Sequence, residues 1–293
     1  MNAELAPSRT RVSDFLILIK FRIGLMVVFS TFVGYVLGVG EVFHPIHLFH
    51  ALFATFLTTS GTGILNQLIE RDRDGLMERT SDRPLPAGRI APDVACWAGL
   101  ILTGMGIVYL AVLVNVLTGV IGALTVVVYL LLYTPLKVKT AHNTAVGAVA
   151  GALPPMGGWT AATGVFSGEA VALFGILFLW QFPHFFSIAW LYREDYARGG
   201  FRMLSGEDPH GDRTAHQVVL YSLVLLSCSL MPALLGMAGI VYFCVAVLLG
   251  LGLLYASFVF AKLRTDVQAR RLMRATLIYL PVLWLVMMLD KMV

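Results

Sequence analysis

The chain has 293 residues, of which 58% are hydrophobic and only 13% charged, and its mean hydropathy is +0.81. A soluble domain carries about 25% charged residues, so half that share excludes a surface that faces water throughout and implies one that faces lipid. The net charge of +4 follows from the topology derived below and calls for no nucleic-acid partner.

Residues 1–14 read as a polar tail containing Arg9 and Arg11, without the layout of a cleavable signal. No long Arg/Ser-rich transit segment stands ahead of the first apolar run, which favours a bacterial inner membrane. Nine runs of about 20 apolar residues follow, over 19–39, 46–65, 94–115, 117–135, 144–163, 170–191, 216–236, 238–261 and 274–290. They predict an all-α polytopic membrane protein in which 1–293 form a single domain of about nine transmembrane helices. Connections 115–118 and 236–239 are long enough only for tight turns, whereas 66–93, 192–215 and 262–273 are long and polar. Cys96, Cys228 and Cys244 lie in apolar stretches without CxxC spacing, so they read as small core residues.

Charge sets the orientation, because short cytoplasmic loops collect Lys and Arg. One set of connections holds Arg71, Arg73, Arg79, Arg83 and Arg89, then Lys137 and Lys139, then Arg193, Arg198, Arg202 and Arg213, then Lys262, Arg264, Arg270, Arg271 and Arg274. The opposite set holds none, and Lys291 at the far end is the exception. This predicts a cytoplasmic N-terminus and an external C-terminus, with 66–93 and 192–215 as cytoplasmic loops.

Two polar clusters stand at the cytoplasmic ends of spans. The first is Asn66-Gln-Leu-Ile-Glu70-Arg-Asp72-Arg-Asp74, followed by Arg79-Thr-Ser-Asp82-Arg83-Pro84. If the helix continues through it, Asn66, Glu70 and Asp74 share one face at i, i+4, i+8. Such a stripe suits Mg²⁺, a hard ion that keeps waters and shares its shell with phosphate, and the nearby arginines suit phosphate oxygens. The competing reading is a charged helix end snorkelling into the interface. In either case Glu70 and Asp74 are expected to face solvent. The second cluster ends the sixth span, where Trp180-Gln-Phe-Pro183-His184 runs on to Tyr192-Arg193-Glu194-Asp195-Tyr196-Ala-Arg198. Facing one another, the two clusters would make two hard-cation sites with a basic rim, the arrangement that neutralises a diphosphate leaving group. A loop of internal ion pairs is the alternative for the second. His44, His47 and His50 read as interfacial histidines at the outer side. Pro154-Pro155 and their neighbouring glycines are expected to break or tightly pack the fifth span.

On these residues the chain resembles the UbiA-type intramembrane prenyltransferases. The Asn66, Glu70, Asp74 series matches the first motif of that superfamily, with Glu70 where many relatives have Asp, and Arg79 to Pro84 matches its arginine-rich continuation. Within the superfamily the haem-farnesylating branch is the most similar, through Tyr133-Thr-Pro-Leu-Lys137, Gly151-Ala-Leu-Pro-Pro-Met-Gly-Gly-Trp159 and Trp180-Gln-Phe-Pro-His-Phe-Phe. Relatives acting on phenolic acceptors carry a second DxxxD motif; those positions here are Tyr192 and Tyr196, which leaves Glu194 and Asp195 as the acids.

The resemblance implies transfer of a farnesyl group from farnesyl diphosphate to a vinyl group of haem B, with Mg²⁺ as cofactor. It implies Mg²⁺ held by Glu70 and Asp74 with Asn66 as ligand or orienter, and a second ion on Asp195 with Glu194. It further implies diphosphate contacts from Arg71, Arg79, Arg83, Lys137 and Arg193. His184, an ionisable group inside an apolar span, is then a candidate for haem contact, since His commonly ligates haem iron; its alternative is a hydrogen bond to a backbone carbonyl freed by Pro183. The next enzyme of haem A synthesis is the partner implied. A prenyltransferase with a quinone-precursor or chlorophyll-type acceptor and a secondary transporter are the competing functions. Transporter ion sites lie near the bilayer midplane, whereas these acids sit at span ends.

Overall fold

The computed structural model describes residues 11–291. Most of the expected polar tail therefore lies outside the described residues, and Arg11 to Asp14 open a short helix, α1 (Arg11–Leu18). The long helices are α2 (Phe21–Gly38), α3 (Pro45–Asp74), α4 (Pro92–Val114), α5 (Val116–Leu136), α6 (Asn143–Thr163), α7 (Gly168–Leu191), α9 (Asp212–Leu234), α10 (Ile240–Leu263) and α11 (Asp266–Leu289). A short α8 (Arg193–Arg198) follows α7. No strand occurs among the described residues beyond one isolated bridge, Ala238 to Lys291.

Eight of these helices are long and apolar enough to cross a membrane. The stretch expected as the fifth span is helical, α6, 21 residues long, but its glycines, prolines and threonines hold its hydropathy below that of the other eight. It lies between α2, α5 and α7, where small residues serve packing rather than lipid contact. Pro154 and Pro155 do not break it. Instead the α2–α6 seam is very close: a Cβ on Gly34 would sit 1.9 Å from the Pro155 carbonyl oxygen, and one on Gly158 1.9 Å from that of Thr31. Small residues let backbones approach in this way when lipid supplies no hydrophobic drive between helices.

Elsewhere polar side chains join the helices. Tyr242 donates to the Ser229 carbonyl at 2.7 Å, and the Ser229 and Tyr279 hydroxyls lie 2.7 Å apart, linking α9, α10 and α11. Outward-facing positions carry large apolar residues such as Ile46, Leu234, Leu248 and Tyr255, all exposed, as a lipid-facing surface requires.

Alternation of the long helices brings the C-terminal ends of α3, α5, α7 and α10 to the same end of the bundle as the N-terminal ends of α2, α4, α6, α9 and α11. The longest connections gather there. α3 is 30 residues long, about 45 Å at 1.5 Å per residue, whereas about 20 residues cross the hydrocarbon. Its last turns therefore carry Asn66 to Asp74 beyond the apolar run while keeping them helical, and the expected loop begins at residue 75.

Candidate active site

Helical continuation puts Asn66, Glu70 and Asp74 on one face, and all three are buried, at 0%, 6% and 1% exposure. This corrects the expectation that the two carboxylates face solvent. Buried charges need partners, and each has one. Lys137 Nζ lies 2.7 Å from Glu70 Oε1, and Arg83 Nη1 lies 2.6 Å from Asp74 Oδ2. The second oxygen of each carboxylate accepts no hydrogen bond among the described residues.

Asn66 is oriented from two sides. Its Nδ2 donates to Thr134 Oγ1 at 3.0 Å, and its Oδ1 accepts from Lys20 Nζ at 2.5 Å. The Tyr133 to Lys137 stretch thus has a physical role: Thr134 sets the amide, Lys137 pairs with Glu70, and the Tyr133 ring lies under the Lys137 ammonium at 4.6 Å.

Lys20 escapes sequence reasoning. It sits at the α1–α2 joint with a left-handed backbone, φ 51°, and this bend aims its side chain into the cluster. Burial, then repulsion from Arg83 and Lys137, pushes its pKa down to about 7 despite Glu70 and Asp74. Its one readable signal is a lysine directly after the apolar Phe15-Leu-Ile-Leu-Ile19 run. Gln67, on the neighbouring face, anchors α1 by donating to the Ile17 and Leu18 carbonyls at 3.0 and 2.7 Å.

The other candidate residues are placed differently from the expectation. Arg71 faces outward, paired with the exposed Asp72 at 3.2 Å. Arg193 pairs with Asp266 at 3.0 Å and donates to the Trp190 carbonyl. Glu194 is exposed. Asp195 is buried, but its carboxylate is occupied: it accepts from the amides of Glu78 at 2.8 Å and Arg79 at 3.4 Å and from Arg198 at 2.9 Å. Burial favours its protonated form, yet the Arg198 guanidinium and the two amides hold it below the usual carboxylate range. It is a clamp on the segment after α3. Arg79 lies between two rings, its Cζ 5.4 Å from the Tyr192 centroid and 5.5 Å from that of Tyr196.

His184 is half-buried at the α7–α11 contact. Its Nδ1 lies 2.8 Å from Thr276 Oγ1, and the Trp180 ring stacks on it at 4.7 Å. Thr276 donates its single hydroxyl proton to the Met273 carbonyl at 2.6 Å, so toward His184 it accepts. The proton therefore resides on Nδ1 and the lone pair on Nε2. The expected alternative, a bond to a carbonyl freed by Pro183, is not what holds this ring.

At the opposite end, Tyr35 with His44, His47 and His50 line a cavity of about 730 Å³. His50 contacts the Tyr109 hydroxyl at 2.7 Å and His47 that of Tyr35 at 3.2 Å. Sixteen helical residues separate His50 from Asn66, about 24 Å, so this group takes no part in the acidic cluster.

Two carboxylates with free oxygens one turn apart, beside an amide oxygen, fit a Mg²⁺ whose remaining positions go to water and phosphate. Among the described residues no three acids, histidines or cysteines converge on a metal position, so an ion here depends on such added ligands.

The pattern of the UbiA prenyltransferase family matches residues 27–281. The chain is 45% identical to the protoheme IX farnesyltransferase of Solibacter usitatus, covering 95% of this chain and 98% of that one. It is 44% identical to that of Salinibacter ruber, covering 94% and 98%. Among solved structures it is similar to a digeranylgeranylglyceryl phosphate synthase, with a TM-score of 0.81 at 16% identity over 95% of this chain and 98% of that one. A UbiA homolog from Archaeoglobus fulgidus bound to GPP and Mg2+ superposes with a TM-score of 0.69 at 15% identity, covering 94% and 99%.

Proposed function

The chain belongs to the UbiA prenyltransferase family, and from that premise we propose that it transfers a farnesyl group from farnesyl diphosphate to a vinyl group of haem B, giving haem O and diphosphate. The observation that carries the reading is the buried Asn66, Glu70, Asp74 face covered by Lys20, Arg83 and Lys137, in a chain 45% identical to a farnesyltransferase of that acceptor. The same reading sets nine spans with the N-terminus cytoplasmic, α6 being the central one, and the active site at the cytoplasmic face of a bacterial inner membrane. Its product would pass to the next enzyme of haem A synthesis.

The C1–O bond of farnesyl diphosphate breaks and diphosphate leaves with the electron pair. The vinyl π electrons of haem B form the new bond to C1 of the allylic cation. Water captures the cation left beside the porphyrin and sheds a proton, so haem B, farnesyl diphosphate and water are accounted for. The barrier lies in separating charge, which cations preorganised at the leaving oxygens lower. Arg83 and Lys137 are two such cations, already gathered by the carboxylates they pair with, and Lys20, held on the Asn66 amide oxygen, adds a third when protonated. Glu70 and Asp74 would hold Mg²⁺, which when bound neutralises phosphate charge as a Lewis acid. Asn66, fixed by Thr134 and Lys20, orients the cluster. On the acceptor side, His184 presents the Nε2 lone pair suited to haem iron, its ring locked by Thr276 and Trp180. An imidazole whose other nitrogen donates to a fixed partner is the usual form of a metal-binding histidine.

The deciding experiment incubates the purified protein in detergent with Mg²⁺, farnesyl diphosphate and haem B and follows the pigment by mass. Haem gaining one farnesyl group and one water, only with Mg²⁺, is the expected result. Prenylation of a phenolic acceptor with haem unchanged would move the protein to another branch of the family, and inertness to both acceptors would overturn the reading.

A further inference from the structure

The outward face of α11 changes character along its length. Leu277, Ile278 and Leu285 are exposed on it, as contact with acyl chains requires. At 3.6 residues per turn the same stripe continues upward through Arg274, Arg271 and Arg270 in the first turns of the helix, and all three are exposed. α10 repeats the pattern from the other direction. Leu248, Leu251, Tyr255 and Phe258 are exposed at alternating steps of three and four, which is one helical face, and the exposed Lys262 follows on it. The two helices pack side by side, so four cations crown the apolar outer faces of one helical hairpin.

No protein group neutralises them. The acids of the adjoining segments are engaged with other arginines, Asp266 with Arg193 at 3.0 Å and Asp212 with Arg264 at 2.7 Å. Lys262, Arg270, Arg271 and Arg274 form no ion pair and no side-chain hydrogen bond among the described residues. Their depth is that of a lipid headgroup. Arg274 and Arg270 precede Leu277 by about 5 and 10 Å along the axis, and the polar layer on each side of the hydrocarbon is about 5–8 Å thick. A bias of positive charge toward one side of the membrane asks only for cations in a connection; here they stand on the lipid-facing stripes themselves. A zwitterionic headgroup would bring its own ammonium against them, whereas an anionic one supplies the missing charge, and guanidinium forks match phosphate oxygens in a bidentate manner.

We propose that Lys262, Arg270, Arg271 and Arg274 bind the headgroup phosphate of an anionic phospholipid whose acyl chains lie along the apolar faces of α10 and α11. The site is separate from the acidic cluster, because its side chains lie on the outward faces of these helices.

The test offers delipidated full-length protein in detergent either phosphatidylglycerol or phosphatidylcholine with identical acyl chains and counts by mass spectrometry the lipid retained through gel filtration. Phosphatidylglycerol is expected to bind about 10-fold or more tightly, the scale for two or more cations near a headgroup. The triple variant Arg270→Gln, Arg271→Gln, Arg274→Gln should bring the two lipids to parity. Lys139→Gln with Arg202→Gln, exposed cations of other connections, should keep the preference. In the wild-type protein raised salt should erase it, since exposed charges are screened, a readout that does not depend on how the variants fold. Equal binding of the two lipids by the wild-type protein would overturn the proposal, as would a preference that survives salt or the triple variant, or one lost in the control. Displacement of bound phosphatidylglycerol by inorganic diphosphate would assign the patch to a soluble anion and overturn it as well.

Discussion

Glu70 and Asp74 are buried and ion-paired, and that changes what their substitution tests. Removing one charge leaves Lys137 or Arg83 half-buried beside a neutral group, so the isosteric Glu70→Gln and Asp74→Asn carry a stability cost in addition to any catalytic one. Each is expected to lower kcat by about 10²- to 10³-fold, the scale for losing one electrostatic stabiliser. A steady-state assay at saturating Mg²⁺, alongside a thermal melt in detergent, separates the two effects, and wild-type turnover in either variant would remove these residues from the site. For His184 the geometry points to the iron side of the acceptor. His184→Ala is expected to shift the Soret band of bound haem B while leaving farnesyl thiodiphosphate affinity unchanged. Thr276→Val should shift the same band, because it releases the proton arrangement that leaves Nε2 unprotonated. An unchanged haem spectrum in both would return His184 to a packing role between α7 and α11.

At the scale of elements, the α2–α6 seam has the least freedom. A methyl group at Gly34 would fall 1.9 Å from the Pro155 carbonyl oxygen, and two backbones would have to part to admit it. Overpacking of this kind costs about 1–3 kcal/mol, so Gly34→Ala should lower the melting temperature in detergent. Gly104→Ala on α4, with nothing within 4 Å of its added Cβ, is the matched control. A Gly34→Ala melt equal to that control would show that the helices separate freely. The helical extension of α3 was legible from the Asn66, Glu70, Asp74 spacing, since a period of four places such residues together only on a helix. The unbroken helical course of α6 through Pro154 and Pro155 was not, because local preference makes such a pair a helix breaker and only the packing around it shows otherwise.

For the whole molecule, the same end of the bundle collects the acidic face, the Lys20, Arg83 and Lys137 side chains against it, and the longest connections. Its orientation is open to direct measurement. Single cysteines placed at Gly164 and Gly206 in a chain lacking Cys96, Cys228 and Cys244 should differ in labelling by a membrane-impermeant maleimide. Gly206 should react only in inverted vesicles and Gly164 only in right-side-out ones. Labelling of both from one side would overturn nine spans, since α7, the one long helix between the two positions, would then not cross.

By itself the sequence determined an all-helical membrane chain, the positions of its long helices and the residue types of the first cluster. These follow from apolar run length and from spacing along a single helix, which are local properties. Tertiary structure decided which charges meet. Lys20 enters the cluster through a bend at the α1–α2 joint, Arg71 and Arg193 find partners elsewhere, and Asp195 clamps a loop. Each depends on where residues tens of positions apart are brought together, and buried charges settle on whichever opposite charge or hydrogen-bond donor the packing delivers.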